Sequence, residues 1–299
     1  GNMHLFMYHQ HKLRLLLVSI ALLTVTSLAS CSGAAPGGLG GNTGTISSSG
    51  STATAQGHTL APLPTPSPAS SKRSSGTSNT TSSNNAMWTL VFSDDFNGTQ
   101  LNPTWGLYTG PHGGGRSYYS PSEVHVQGGM VHLAMEQKTT NGLPYTTGGM
   151  AAFKLASTYG KYEFRARLPR GKGVGPYAIL WQASGNHGDV EVDLFESPPA
   201  DKGKVYFTNH GNGAPTQIVA SGNFADSFHI FTYEWTPGKL HFLIDSVDHG
   251  ILTKNVPNFP MWFALAVESG DAFVGLPDSN TMLPVSLDVD WVHIYKYHG

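Results

Sequence analysis

The sequence predicts an all-β protein, an antiparallel β-sandwich or jelly roll, for the larger C-terminal part of its 299 residues. Residues 86–299 contain many short runs rich in β-branched and aromatic residues, and many of these runs alternate apolar with polar side chains. Gly, Pro and Asn separate the runs, and no long run shows the periodicity and caps of a helix. The predicted strands include 124–126, 130–135, 161–168, 205–208, 230–235, 240–244, 261–267 and 285–297.

The first 30 residues have the features of a signal peptide for export. A positively charged start at residues 9–14 precedes an uncharged apolar run at 15–28, which is shorter than the about 20 residues that a membrane span needs. The run leads to Cys31, the single cysteine of the chain. This arrangement resembles a bacterial lipoprotein signal, in which the cysteine becomes the lipidated first residue. The alternative is an ordinary secretory signal with an incidental cysteine.

Residues 31–85 are predicted to be a disordered tether that follows the lipidated cysteine. Of the 54 residues from 32 to 85, 36 are Ser, Thr, Gly or Pro, and none is aromatic or acidic. Such a segment cannot bury enough apolar surface to offset the loss of chain entropy. We therefore expect a protein held outside the cytoplasm, at the bacterial cell envelope, that contacts the membrane through its lipid anchor only.

Charge and cysteine content exclude several classes of function for the predicted domain at 86–299. This segment holds all 19 acidic residues and 13 of the 17 basic ones, so its net charge is −6. A domain of this charge is a poor partner for nucleic acid, which is a polyanion. One cysteine also excludes a disulfide framework and a zinc site built from several cysteines.

Three acidic residues within six positions form the most informative motif. Glu191, Asp193 and Glu196 alternate with apolar residues, as in a strand with one face turned to a core. In a regular strand Glu196 would point among the apolar side chains, at a cost of several kcal/mol. One extra residue in a β-bulge between 193 and 196 corrects the alternation, so that Val192 and Leu194 face the core and all three acids face the other side.

Two carboxyl groups on one face suit retaining hydrolysis of a glycosidic bond. One carboxylate attacks the sugar, while the other protonates the leaving oxygen and then activates water. Repulsion among the acids separates their pKa values, as these two roles require. The spacing of the acids is equally compatible with a solvated acidic strand face or a calcium site.

Six segments besides the acid motif extend the pattern over nearly all of residues 86–299. They are WTLVFSDDFNG at 88–98, TTGG at 146–149, YGKYEFRARLP at 159–169, GPYAILW at 175–181, FHIFTYEWTP at 228–237 and VDWVHIY at 289–295. In this order and spacing the set resembles glycoside hydrolase family 16, which includes laminarinases, lichenases, agarases and κ-carrageenases. The resemblance implies a concanavalin A-like sandwich with a concave substrate cleft.

The resemblance also implies the roles of the acids. Glu191 would be the nucleophile, Glu196 the acid/base and Asp193 the assisting residue, in the bulged subgroup of the family. The expected activity is retaining endo-hydrolysis of a polysaccharide, a β-1,3-glucan in the first instance, by a monomer that needs no cofactor for catalysis. Residues 261–270 depart from the common laminarinase pattern, which leaves galactans open as substrates. The same sandwich is also compatible with a carbohydrate-binding module without catalysis and with a transglycosylase.

Aromatic and polar residues near the motif are candidates for the cleft. Trp181 and Tyr177 lie four residues apart on a predicted strand and therefore share a face, although a core position is the alternative for each. His210 matches a histidine that faces the acids in family members, and Arg116 in a Gly-rich loop could bind substrate hydroxyls. Weaker candidates are Trp105, Tyr118, Tyr119 and Trp262, whereas Trp88, Trp235 and Trp291 are predicted to be core residues.

A structural calcium ion, which many family members bind, has candidate ligands at both ends of the domain. Asp94 or Asp95 near the start, the carbonyl of Gly129 and Asp290 near the end could supply oxygen atoms. The alternative is that these acids are ordinary surface residues.

Overall fold

Two β-sheets make up most of the computed structural model, which describes residues 87–299. The predicted signal peptide at 1–30, the lipidation site at Cys31 and the tether at 31–85 lie outside the described residues. Within the described part, no helix is long and apolar enough to cross a membrane.

Eighteen strands and two short 3-10 helices follow one another along the described chain. In chain order the strands are β1 (Trp88–Asp94), β2 (Gly106–Leu107), β3 (Gly110–Pro111), β4 (Ser117–Tyr119), β5 (Val124–Gln127), β6 (Met130–Glu136), β7 (Tyr145–Thr147), β8 (Gly149–Ala151), β9 (Gly160–Arg167), β10 (Gly175–Gln182), β11 (Glu191–Glu196), β12 (Lys204–His210), β13 (Thr216–Ser221), β14 (His229–Thr236), β15 (Lys239–Ile244), β16 (Val247–Leu252), β17 (Met261–Glu268) and β18 (Val285–Tyr297). The 3-10 helices are Pro121–Glu123 and Phe153–Leu155.

The strands form an eleven-stranded first sheet and a seven-stranded second sheet. The first sheet has the order β16-β15-β14-β9-β18-β6-β7-β4-β3, with β1 paired to β18 and β5 paired to β6. The second sheet has the order β13-β12-β11-β10-β17-β8-β2. Nearly all neighbours are antiparallel, as predicted, but β4 and β7 run parallel. The all-β sandwich prediction is confirmed.

The main hydrophobic core lies between the sheets and follows from strict alternation along the strands. In β9 every second residue is buried, including Tyr162 and Phe164, while Arg165 and Arg167 face outward. The second sheet contributes Val192 and Leu194 of β11 to the same core. Trp235 is a core residue as predicted, with no exposed surface.

Two tryptophans predicted to be in the core lie elsewhere. Trp88 and Trp291 are only partly buried, and Trp291 stacks on His293 with ring centroids 4.4 Å apart. The pairing of β18 with β9 shifts between Val289 and Trp291, so an irregularity in the strand resets the alternation. The prediction of a core position was wrong for both residues.

The middle of the second sheet is buried on both faces. Every residue of β10 and of β17 is buried, although only alternate side chains can reach the main core. The other side chains form a second cluster on the opposite face of the sheet, which we call the cleft face. Its members are Tyr108, Tyr119, Ala151, Tyr177, Ile179, Trp181, Trp262, Ala264 and Ala266.

Candidate active site

A β-bulge in β11 places the three acids on the cleft face. Asp193 is paired with Ile179 of β10, but the next pair along β10 joins Ala178 to Phe195, so β11 carries one extra residue there. The pairing of β11 with β12 shifts at the same point, between Asp193 and Glu196. The predicted bulge is confirmed, and its physical reason is that Val192 and Leu194 remain in the core.

The acids occupy consecutive positions along the cleft face. Glu191 lies opposite Trp181, and Glu196 lies opposite Tyr177, both across the pairing of β10 with β11. Only 4% of Glu191 is exposed and none of Asp193, whereas Glu196 is half-buried. Carboxyl groups in such positions are shielded from water, which strengthens every electrostatic interaction among them.

His210 joins the acids from the neighbouring strand. It lies opposite Glu191 in the pairing of β11 with β12, and its Nε2 is 2.8 Å from Oδ2 of Asp193. One carboxylate oxygen of Asp193, one of Glu196 and a ring nitrogen of His210 lie within 4.8 Å of one another. The structure therefore brings the predicted histidine together with the predicted acids.

Trp181 and Tyr177 both lie on the cleft face, as their spacing predicts. Each has 7% of its surface exposed, and neither belongs to the main core. The hydroxyl of Tyr177 is 2.8 Å from that of Tyr119, which comes from β4 of the other sheet. Among the weaker candidates, Trp262 lies beside Trp181 in the pairing of β10 with β17.

Tyrosines on the cleft face stay protonated. Burial, and then the negative charge of Glu191, raise the pKa of Tyr108 well above its usual value. Burial is also the main reason why the pKa values of Tyr119 and Tyr177 are raised. These three phenols therefore remain available as hydrogen-bond donors at neutral and alkaline pH.

Trp105 does not reach the cleft. It packs in the main core against Phe92, with ring centroids 5.5 Å apart, and its indole N–H donates to Oδ2 of Asp94. The prediction of a cleft position for Trp105 was wrong, because the chain preceding β2 turns its side chain between the sheets.

One end of the cleft face is bordered by the loop after β17. Phe273 in this loop is 40% exposed and contacts Tyr206 of β12, the residue opposite Glu196, with ring centroids 5.8 Å apart. The loop lies beside Arg116, whose backbone N–H donates to the carbonyl of Ser269. Arg116 is exposed at this rim, on a different segment from the three acids.

Sequence reasoning missed several side chains of this face, above all Tyr108, Tyr206, Glu268 and His112. Alternation along β12 could have indicated Tyr206, since it is two residues from Thr208 and four from His210. The other three come from separate segments, and their proximity depends on the order of strands in the sheets. Alternation along β17 from Trp262 could have indicated the face of Glu268, but no local pattern could have shown that Tyr108 and His112 lie on the same face.

Two groups of described residues have the composition of a metal site. They are Asp193, Glu196 and His210, and His112, Glu268 and Asp271. Two of the predicted calcium ligands already contact other side chains. Oδ2 of Asp290 accepts a hydrogen bond of 2.5 Å from Arg165, and Oδ1 of Asp95 lies 3.9 Å from Nε2 of His293. Asp94 instead accepts hydrogen bonds from Trp105 and the Phe96 backbone. Calcium binding through Asp95, Gly129 and Asp290 stays a prediction, which thermal melting with a chelator would test.

Comparison with known proteins gives a family match over most of the described region. The family model described as glycosyl hydrolases family 16 matches residues 116–293. This range includes the bulged strand β11, both neighbouring strands and His210. It does not include residues 88–98, although these belong to the predicted family pattern.

Individual relatives agree with the family match. A β-glucanase of Rhodothermus marinus is 26% identical over an alignment of 245 positions, which covers 70% of this chain and 86% of that protein. The glucan endo-1,3-β-glucosidase A1 of Niallia circulans is 25% identical over 69% of this chain, but the match spans only 38% of that longer protein. The crystal structure of the laminarinase catalytic domain from Thermotoga maritima superposes with a TM-score of 0.66 at 26% identity, over 71% of this chain and 100% of that one.

Proposed function

Because this chain belongs to glycosyl hydrolases family 16, we propose that it hydrolyses internal β-glycosidic bonds of a β-1,3-glucan with retention of configuration. The observation that carries the proposal is the bulge in β11, which places Glu191, Asp193 and Glu196 together on the cleft face. The relatives named above act on β-glucans, which supports a glucan as the substrate.

The first step forms a covalent bond between enzyme and sugar. A carboxylate oxygen of Glu191 attacks the anomeric carbon, and the bond from that carbon to the glycosidic oxygen breaks. Glu196 donates its proton to the leaving oxygen, so that the departing part of the polysaccharide leaves as a neutral alcohol.

The second step releases the sugar. Water attacks the anomeric carbon and passes a proton to Glu196, while the bond to Glu191 breaks and its carboxylate is restored. Two inversions at the same carbon retain the configuration. Glu196 ends the cycle protonated, ready for another glycosidic bond.

Asp193 assists from its place between the two reacting carboxyl groups. It is fully buried, and His210 holds it at 2.8 Å. Its charge acts on Glu196, since one carboxyl oxygen of each residue lies within 4.8 Å of the other. The proximity of a second carboxylate favours the protonated form of Glu196 that the first step needs.

Aromatic side chains orient the sugar above these acids. Trp181 lies opposite Glu191 and offers an apolar surface to the sugar ring that is attacked. Tyr177 lies opposite Glu196, on the side of the leaving group. Arg116 at the rim donates hydrogen bonds to hydroxyl groups of a more distant sugar.

Residues outside the described part complete the proposal. The apolar run at 15–28 and Cys31 support export and lipid anchoring at the bacterial cell envelope. The Ser/Thr/Gly/Pro-rich tether would then hold a monomeric domain away from the membrane, where it meets its polysaccharide. Labelling with a radioactive fatty acid, with Cys31→Ala as the control, tests the anchor.

One experiment tests the hydrolytic function. Products from laminarin, lichenan, agarose and galactan are compared for the wild type, Glu191→Gln and the control Glu163→Gln, which lies on the outer side of the first sheet. We expect the wild type and the control to cleave laminarin, and Glu191→Gln to lose about a thousandfold or more in rate. Unchanged cleavage by Glu191→Gln would refute the assignment of the nucleophile.

The same experiment distinguishes hydrolysis from the competing functions. A binding module would retain laminarin without releasing products, in the wild type as in Glu191→Gln. A transglycosylase would lengthen an added oligosaccharide acceptor instead of releasing free reducing ends. Cleavage of galactan rather than laminarin would leave the mechanism intact but change the substrate.

A further inference from the structure

A second group of titratable side chains lies on the cleft face, away from the three acids. His112 precedes β4, Glu268 ends β17, and Asp271 belongs to the loop that follows. One ligand atom from each of these three residues lies within 4.8 Å of the others, and Nε2 of His112 contacts Oε2 of Glu268 directly. The proposed hydrolytic steps use none of them.

Strand geometry places Glu268 in line with the reacting residues. Along β17, Ala264, Ala266 and Glu268 share the cleft face, and Ala266 lies opposite Tyr177, which lies opposite Glu196. With strands about 4.8 Å apart and a rise of about 3.4 Å per residue, the Cα atoms of Glu268 and Glu196 are about 12 Å apart. A polysaccharide that extends from Glu196 across Tyr177 toward the end of β17 would pass Glu268.

Glu268 is as deeply buried as the predicted nucleophile on the same cleft face. Its exposed fraction is 5%, close to the 4% of Glu191. Gly175 lies opposite it in β10, and a Cβ atom there would be only 3.0 Å from Cγ of Glu268. The glycine thus leaves the space that the Glu268 side chain occupies.

The negative charge of Glu268 affects two tyrosines of the cleft face. Besides burial, it contributes to the raised pKa values of Tyr119 and Tyr177, whose hydroxyls bond to each other. With Asp271 the group contains two carboxyl groups and one imidazole, so acidic side chains outnumber the basic one. Arg116 is nearby but exposed, and solvent screens its charge more strongly than that of a buried carboxylate.

We propose that the Glu268–His112 pair is a specificity-determining element of the cleft, which selects a neutral polysaccharide over an anionic one. A carboxylate accepts strong hydrogen bonds from sugar hydroxyls, whereas it repels a carboxyl or sulfate group in the same place. The inference rests on the proposed function, because it assigns a subsite to the same cleft.

The test compares laminarin with its carboxymethylated derivative. The ratio of kcat/KM for the carboxymethylated to the neutral glucan is measured for the wild type, Glu268→Gln and the matched control Glu163→Gln. Glu163 is also a strand glutamate with a charged partner, Lys161, but it faces away from the cleft. We expect Glu268→Gln to raise the ratio about tenfold, mainly through KM, and the control to leave it unchanged.

Each outcome has a distinct meaning. A ratio that Glu268→Gln leaves within twofold of the wild type, while laminarin is still cleaved, overturns this inference alone. Failure of the wild type to cleave either glucan overturns the proposed function instead. If Glu268→Gln does not fold, the ratio is measured for His112→Gln, which keeps the carboxylate but removes the ring in contact with it. A ratio that changes by more than twofold supports the inference, and an unchanged ratio overturns it.

Discussion

Nε2 of His210 lies 2.8 Å from Oδ2 of Asp193, and His210 is at the same time the residue opposite Glu191 in the sheet. The histidine therefore fixes the middle acid from a strand that carries no reacting group. Its imidazole is 23% exposed, whereas the Asp193 side chain is completely buried. The pair thus links a partly exposed imidazole with a carboxyl group that is shielded from solvent.

Replacement of His210 is expected to slow catalysis without unfolding the domain. Loss of a close polar contact to a buried carboxyl group costs about 1.5–3 kcal/mol, so His210→Gln should lower kcat about ten- to a hundredfold. The matched control is His241→Gln, since His241 contacts Glu234 on the first sheet. Equal rates for the two variants in steady-state kinetics would show that His210 has no role in catalysis.

We expect Trp181 to contribute to substrate binding through the size of its ring as well as through its apolar character. Trp181→Ala removes the ring opposite Glu191, and we expect kcat/KM to fall about a hundredfold, whereas Trp181→Phe should lose about tenfold or less. Thermal melting of both variants provides the stability control. If Trp181→Ala and Trp181→Phe retain the wild-type kcat/KM, the ring does not contact the substrate.

The stability of the fold at acidic pH depends on the hydrogen bonds around Asp288 on the first sheet. Burial acts to raise its pKa, but hydrogen bonds from Ser286, Arg167 and His132 outweigh burial and hold the pKa below its usual value. A lowered carboxyl pKa stabilises the fold above about pH 4, and the contribution is lost as pH falls through the folded-state pKa.

Asp288→Asn should therefore lower the free energy of unfolding by about 1–2 kcal/mol at pH 7. The difference from the wild type should shrink below about pH 4 in urea titrations. Asp226→Asn is the control, because Asp226 bonds to Arg170 at an exposed position and should matter little. A difference for Asp288→Asn that is constant with pH would contradict the linkage.

Lys202 provides a pH dependence of the same sign, but in a neutral to alkaline pH range instead of an acidic one. It is fully buried, and its Nζ donates to the carbonyl oxygens of Gly171, Val174 and Pro199 at 3.3, 2.7 and 2.8 Å. Burial lowers its pKa to about 7. Because an unfolded lysine titrates near about 10.4, the unfolded chain binds more protons between these values, and stability rises with pH across that window.

Lys202→Met should remove this dependence. We expect the advantage of the wild type over the variant, in free energy of unfolding, to grow by roughly 1 kcal/mol per pH unit above pH 7. Lys204→Met, at an exposed position nearby, is the control and should show no such slope. Urea titrations at pH 7, 8 and 9 measure it, and parallel curves for wild type and Lys202→Met would exclude the effect.

The sequence predicted those features that depend on neighbours along the chain. The bulge in β11 followed from Val192 and Leu194, which must face the core, and the shared face of Trp181 and Tyr177 followed from their even spacing. Features that depend on sheet order could not be predicted. Glu268 and His112 lie 156 positions apart in the sequence and meet only because β17 ends beside the loop that precedes β4.

The bulge also determines which partner moves during catalysis. Its extra residue lies within a strand that is hydrogen-bonded on both sides, to β10 and to β12, and not in a loop. Glu191 and Glu196 are therefore attached to a rigid backbone, and the separation of their attachment points stays constant through both chemical steps. If Glu191 and Glu196 react as proposed, most of the adjustment in geometry must come from the sugar ring, whose anomeric carbon moves toward Glu191 in the first step and away from it, toward water, in the second.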